Sequence, residues 1–432
     1  VEENKMKKSN LIRIAVLAGL GVLPLSAFAT NGMNPEGTGV KNRGMGGAGI
    51  AMAEETAAIV INPAAVVNVG DRLDVALGVF SPKPRSYDLS GNTNAGGVPG
   101  ATLNANQESD SNYFLIPFFG MSFPIDAQSA WAVTISANGG MNTDYANNFA
   151  AGLGYTGSTG INLAQLFVSG TYGRKLSPDV SVGISAIYAY QQFEAKGLRA
   201  FGDFGLSSDD TALTDNGTDN ADGFGVKIGI QAKLSNSITI GAAYQPKVTM
   251  SKFDKYKGLF ADQGELDIAS TISAGIAWKV NPQMTVAFDY LYIDYGDVTA
   301  IGNTSTTIGA KLLGSSDGPG FGWESINVFK LGMQYASSDK MTWRVGWNHG
   351  DNPIKSSEVS VNFLAPGVIT DHLTFGGTYN MDKNSELSFN FVHSFNQSVS
   401  GPFAPTLPPF GGGTMKLEMA QNYIEVGYGK KF

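Results

Sequence analysis

The sequence has no cysteine, only 3 histidines, and charged residues make up just 15% of it. An exported chain of this size without thiols has no disulfide framework, so its core or its membrane must supply the stability. The histidines, His349, His372 and His393, fall at strand ends with no evident nucleophile beside them. No catalytic residue is assigned, and an enzyme is not expected. Beyond residue 29 no run of 18 apolar residues occurs, so the rest of the chain holds no transmembrane helix. Basic clusters are also missing. The formal charge is −8, from 29 basic and 37 acidic residues. Removing residues 1–29 leaves 25 basic against 35 acidic residues, which excludes nucleic acid as a partner.

Glycine is abundant, with 55 residues, alongside Phe 25 and Tyr 16. That composition over 432 residues fits the strands and turns of one long all-β domain better than helices. Residues 1–29 read as a signal peptide, with Met6 as the true start and residues 1–5 upstream of it. Lys7, Lys8 and Arg13 form its positive region, an apolar run of about a dozen residues comes next, and Ser26-Ala27-Phe28-Ala29 is a small-x-small cleavage site.

Residues 30–71 differ in character from the remainder of the chain. They are rich in Gly and Ala, poor in aromatics, and include Asn42-Arg43-Gly44-Met45-Gly46-Gly47-Ala48-Gly49 and Asn62-Pro63-Ala64. Small residues ahead of a barrel can pack inside it where bulky ones cannot, so this stretch reads as an N-terminal hatch, or plug. Its glycines superficially resemble a dinucleotide fingerprint, but no strand precedes them and no βαβ unit comes after.

From residue 72 to 432 one rhythm holds: segments with period-two apolarity, joined by alternately short and long connections. The short ones lie at 124–128, 177–179, 235–237, 281–283, 338–340 and 382–384, all in turn chemistry. The long ones lie near 81–111, 139–160, 194–222, 254–265, 297–324, 350–367 and 397–417. Six turns and seven loops imply a transmembrane antiparallel β-barrel of about 14 strands with an outward apolar band, as in bacterial outer membranes. Val180, Val182, Ile184, Ala186, Tyr188 and Tyr190 face out, as do Met341, Trp343, Val345 and Trp347. The last strand, with Ile424, Val426, Tyr428 and Phe432, closes against the first and removes its edge.

Several groups stand out on this frame. In the third and fourth long loops Leu198, Phe201, Phe204 and Phe253, Tyr256, Leu259, Phe260 are spaced for short helices with one apolar face. Such faces either cover each other or form a groove for an apolar ligand. Alternation turns Lys227, Asp289, Lys330, Arg344 and Glu425 inward. Arg344 and Lys330 are candidates for a ligand carboxylate, though Asp289, Lys330 and Arg344 on consecutive strands could equally salt-bridge among themselves. Pro117 lacks an N–H for the wall's ladder and, with Asn138-Gly139-Gly140 on the next strand, marks a candidate side opening. The Asp-rich loop 209–222 reads as a solvated face, and no metal or cofactor is assigned.

The chain resembles the FadL family of outer-membrane transporters of long-chain fatty acids and other hydrophobic compounds, including TodX-type hydrocarbon importers. The resemblance spans everything after the leader. It rests on the Gly-rich start with Asn62-Pro63-Ala64, on residues 256–261 (YKGLFA) and 317–323 (DGPGFGW), and on Phe363-Leu364-Ala365-Pro366 with Asp371-His372-Leu373-Thr374. It implies a fourteen-stranded barrel with an N-terminal hatch, a ligand groove in the extracellular loops and a lateral exit through the wall. The expected function is passive uptake of hydrophobic compounds, foremost long-chain fatty acids, by a monomer surrounded by outer-membrane lipid and lipopolysaccharide. A monoaromatic or aliphatic hydrocarbon importer is the alternative of the same fold, and a surface receptor or adhesin with a closed barrel is the alternative of another class.

Overall fold

The computed structural model describes residues 31–93, 100–404 and 412–432, so the expected leader and its cleavage site lie outside the described residues. Sixteen strands form one antiparallel sheet, numbered β1 (Arg72–Ser81) to β16 (Thr414–Lys431) in chain order. Two of them, β2 (Arg85–Ser90) and β3 (Ala105–Glu108), hang on the outer part of β16. The other fourteen close into a barrel when β1 pairs with β16 from Arg72↔Lys431 to Ser81↔Asn422. Closure leaves no unpaired edge in the wall at that seam.

The pleat sorts the side chains as the sequence predicts. On β13 (Met341–Gly350), Trp343, Val345 and Trp347 are exposed while Arg344, Gly346 and Asn348 are buried. The exposed apolar side chains recur around the whole wall, as lipid requires of a spanning barrel. Among the described residues no helix is long and apolar enough to cross a membrane.

Two loop assignments are corrected. Within the stretch 397–417, residues 397–402 and 414–417 are strand, because β15 (Ser385–Pro402) and β16 stay paired up to Pro402↔Thr414. The stretch 81–111 contains the β2–β3 hairpin, which prolongs that sheet. Above the lipid the outer face meets water, so polar residues such as Ser398, Ser400, Lys416 and Glu418 replace the apolar signal. Met415, Leu417 and Met419 turn inward and bury, as do Tyr87 and Leu89 of the hairpin.

Residues 31–70 lie in the bore. They form helix α1 (Val40–Gly44), helix α2 (Ala57–Ile61), a 3-10 turn at Pro63–Ala65 and helix α3 (Val66–Val69). The side chain of Asn62 caps the turn by accepting from the Ala64 N–H at 3.1 Å, with Pro63 behind it where a missing N–H costs nothing. Gly70, with φ 85°, ends the segment before β1.

Buried irregular backbone has no ladder of its own, so its polar groups must find side-chain partners. Here the wall supplies them. Asp289 accepts from the Gly49 and Ile50 N–H groups at 2.6 and 2.9 Å, and Thr374 from Gly46 at 2.8 Å. Gln231 donates to the carbonyls of Ile50 and Met52, and Asn62 to that of Ile230. Close approach is possible because the wall is glycine at the contact points. A Cβ on Gly183 or Gly229 would overlap Pro63 or Asn62, and one on Gly346 would overlap the Met45–Gly46 peptide.

Candidate functional site

The loop aromatics assemble above the bore. Phe193, at the extracellular end of β7 (Val180–Lys196), packs against Phe253, Tyr256 and Phe260 with ring centroids 4.6 to 5.6 Å apart. Leu198, Phe201, Phe253, Tyr256 and Phe260 are buried in one apolar cluster, Leu259 is half-buried against it, and Phe204 is 38% exposed. The Tyr256 hydroxyl donates to the Gly217 carbonyl at 2.7 Å, and burial pushes the phenol up to about 12. These side chains therefore cover each other in the described state. Nearby, Tyr295 reaches down and donates to the Asn31 carbonyl at 2.6 Å, tying the loops to the start of the N-terminal segment.

The inward charges Lys227, Asp289, Lys330, Arg344 and Glu425 do not bridge one another; they bind the segment. Arg344 is 2.9 Å from Glu54 and donates to Thr378, and Lys330 donates to the Glu36 carbonyl at 2.8 Å. Asp289 and Lys330 sit opposite each other on β11 (Met284–Ile293) and β12 (Ile326–Ala336), yet among the described residues no ion pair joins them. The segment brings in its own acids and carbonyls, which no pattern along the wall could announce. Lys227, on β8 (Asp219–Lys233), donates to the Val60 carbonyl at 2.9 Å, and among the described residues no acid pairs with it.

Beside the segment lies a cavity of about 110 Å³. Lys227 and Lys330 line one part, Phe167, Ile187 and Leu291 another, and Ser136, Ala137 and Asn138 a third. It is smaller than the roughly 150 Å³ that holds one benzene, and far below the roughly 300–1,000 Å³ of ordinary ligand pockets. As described, the cavity has no room for a ligand of that size.

One ladder of the wall stops short. Strand β4 (Phe114–Pro124) pairs with β5 (Ser129–Tyr145) only from Phe118↔Ser136 to Pro124↔Ala130. Residues 114–117 pair with β1 alone. The β4–β5 ladder stops where Pro117, lacking an N–H, would meet Ala137. On its other side β5 carries a bulge between Ala137 and Gly139, leaving Asn138 unpaired with β6 (Thr159–Lys175). From within, the start of the N-terminal segment covers the place. The Gly140 N–H donates to the Met33 carbonyl at 3.3 Å, and a Cβ on Gly139 would overlap that same carbonyl. Pro117, Gly139 and Gly140 are thus brought together. Met33 carries no sequence signal of this role, and neither do the individual wall glycines.

A barrel whose apolar outer band faces lipid and whose bore is filled by its own N-terminal segment defines an outer-membrane β-barrel with a stoppered lumen. The profile described as "Outer membrane protein transport protein (OMPP1/FadL/TodX)" matches residues 22–402, and the chain belongs to that family. It is therefore an outer-membrane transport protein. It is 24% identical over 410 residues to a "Long-chain fatty acid transport protein" of Escherichia coli O6:H1, covering 85% of this chain and 87% of that one. Its fold matches the crystal structure of the P. putida toluene transporter TodX with a TM-score of 0.66 at 18% identity, covering 92% of this chain and 99% of that one. It also matches a Pseudomonas aeruginosa FadL homologue with a TM-score of 0.67 at 15% identity, covering 93% of this chain and 100% of that one.

Proposed function

We propose that this protein carries long-chain fatty acids passively across the polar outer surface and releases them sideways into the membrane. The observation that carries the reading is the cavity's chemistry: two lysines, against one acid (Asp289) already engaged by the Gly49 and Ile50 N–H groups, lie beside apolar Phe167, Ile187 and Leu291 and suit an anionic head on an apolar tail. The name of the Escherichia coli relative points the same way. Arg344 and Lys330, the sequence candidates for the carboxylate, hold the hatch in the described state. Lys227, whose bonded partner is a backbone carbonyl, joins Lys330 as the cation that cargo meets first.

Capture begins at Phe204 and Leu259, the two members of the loop cluster that are not buried, and proceeds as the packed aromatics part. Cargo then enters the cavity, the hatch around Asn62-Pro63-Ala64 shifts, and Met33 leaves the break bounded by Pro117, Gly139 and Gly140. Burial of each methylene yields roughly 0.8 kcal/mol, so a chain of about 16 carbons gains on the order of 10 kcal/mol by reaching lipid. The drive is downhill, so the protein need only bypass the lipopolysaccharide face, and no chemical step is required of it. A single chain closes the barrel, consistent with a monomer.

Uptake above the protein-free rate by vesicles with lipopolysaccharide in the outer leaflet tests this reading. A Lys227→Met, Lys330→Met double variant is expected to lose most fatty-acid uptake and keep uptake of a toluene-sized hydrocarbon. Equal uptake of fatty acid by variant and wild type would move the assignment to the hydrocarbon alternative. No uptake of either by wild type would favour the closed surface receptor.

A further inference from the structure

Arg85, on β2, is only 3% exposed, and no acid pairs with it among the described residues. One terminal nitrogen, Nη2, donates to the Ser109 hydroxyl at 3.1 Å, the Ser111 carbonyl at 2.7 Å and the Asn142 side-chain oxygen at 3.2 Å. Its Nε is buried with no hydrogen-bond partner. Asp144 and Tyr145 act on it across space but make no ion pair with it. A guanidinium stays charged under all physiological conditions, and an unpaired buried charge is costly unless something completes it. Every other buried arginine described, Arg43, Arg72 and Arg344, has a carboxylate.

Its place gives the missing partner a chemistry. Ser111 lies just ahead of β4 and Asn142 lies on β5, so the guanidinium bridges the extracellular end of the break between those strands. It also lies over the ring of Phe114, the first residue of the stretch without a β5 partner, 5.8 Å from the centroid. Below it the break is flanked by apolar Ile116 and Met141. A buried cation at a break in the ladder, beside packed apolar side chains, matches an amphiphile with an oxyanion head.

We propose that Arg85 is a carboxylate-holding station at the break, gripping the head of a fatty acid while its tail passes into the membrane. This deepens the transport reading above and rests on it. A phosphate of lipopolysaccharide offers the same oxyanion chemistry, so the test separates the two.

Purified protein in vesicles whose outer leaflet carries dephosphorylated lipopolysaccharide is compared as wild type, Arg85→Gln and Arg85→Lys, after subtraction of the rate in protein-free vesicles. The probes are a sixteen-carbon fatty acid and the alcohol of the same length, and heat-dependent electrophoretic mobility confirms that each barrel is folded. A charge-assisted hydrogen bond predicts a loss of about tenfold in the initial rate for the acid with Arg85→Gln, less than about twofold for the alcohol, and a smaller loss for the acid with Arg85→Lys. Equal losses for both probes would make Arg85 a strut of the loop, and no loss would leave the carboxylate elsewhere; either overturns the proposal. A loss for the acid that appears only with phosphorylated lipopolysaccharide assigns Arg85 to that phosphate and likewise overturns it. Wild-type vesicles that take up neither probe fail the transport reading itself, a result distinct from any of these.

Discussion

Arg43 of the N-terminal segment and Glu425 of the last strand lie 3.0 Å apart, both buried, although 382 residues separate them in the chain. Glu36 joins the same guanidinium at 2.9 Å, and the Tyr423 ring lies under it at 4.6 Å. Two further pairs, Lys41 with Glu386 and Arg344 with Glu54, bind the segment to other strands at 2.6 and 2.9 Å. The segment is therefore held by charges facing it from the wall around the bore, not by one hinge.

Removing Glu425 takes one of two carboxylates from Arg43 and leaves Glu36, so the cost falls below the roughly 3–5 kcal/mol of a fully orphaned buried charge. Glu425→Gln is therefore expected to loosen the segment while the lipid-facing wall keeps its fold. Limited proteolysis in detergent should cut within residues 31–70 of the variant faster than in wild type, and planar-bilayer recordings should show larger and more frequent openings.

The wall glycines should behave as contact points. Gly229→Ala puts a methyl where Asn62 sits, and Gly183→Ala puts one where Pro63 sits. Overpacking of this kind costs about 1–3 kcal/mol. Both variants are expected to insert normally and to leak small solutes. An outward-facing control, Val345→Ala, should not leak.

The loop cluster is expected to be structural as well as receptive. Phe253→Ala removes a fully buried ring from contact with Phe193 and Phe260, at a cost of about 3–5 kcal/mol for a packed aromatic. Hydrogen exchange should rise across the loop that carries Phe253 and across the neighbouring 197–218, with no change in the barrel strands. Fatty-acid uptake should fall through weaker capture.

Much of this architecture is legible because the pleat has a period of two and lipid tolerates few polar side chains. Trp343 out and Arg344 in follow from alternation alone, and so does closure of the last strand on the first. Legibility fades where that solvent contrast fades: past the lipid, β15 and β16 run on with polar outer residues and read as loop. It also fails inside the bore. Arg344 is readable as inward, but its partner Glu54 sits on a segment without periodicity, so nothing along the chain pairs them. Pro117 is readable as a flaw in the ladder because proline carries no donor. That the break extends up to Phe114, and that Met33 covers it, depends on where an aperiodic segment comes to rest. Arg85 carries no sequence signal, since its isolation from acids exists only in three dimensions.

The most direct test of the account tethers the segment to the break. The natural chain has no cysteine, so Asn34→Cys with Asn138→Cys provides the only thiols, both lining the cavity at the break, and a bifunctional methanethiosulfonate joins them through disulfides that reduction reopens. Fatty-acid uptake by vesicles carrying this variant is measured cross-linked and then reduced. Loss of uptake when the link is closed, with recovery on reduction, is the predicted result. Equal uptake in both states would contradict sideways release past the N-terminal segment.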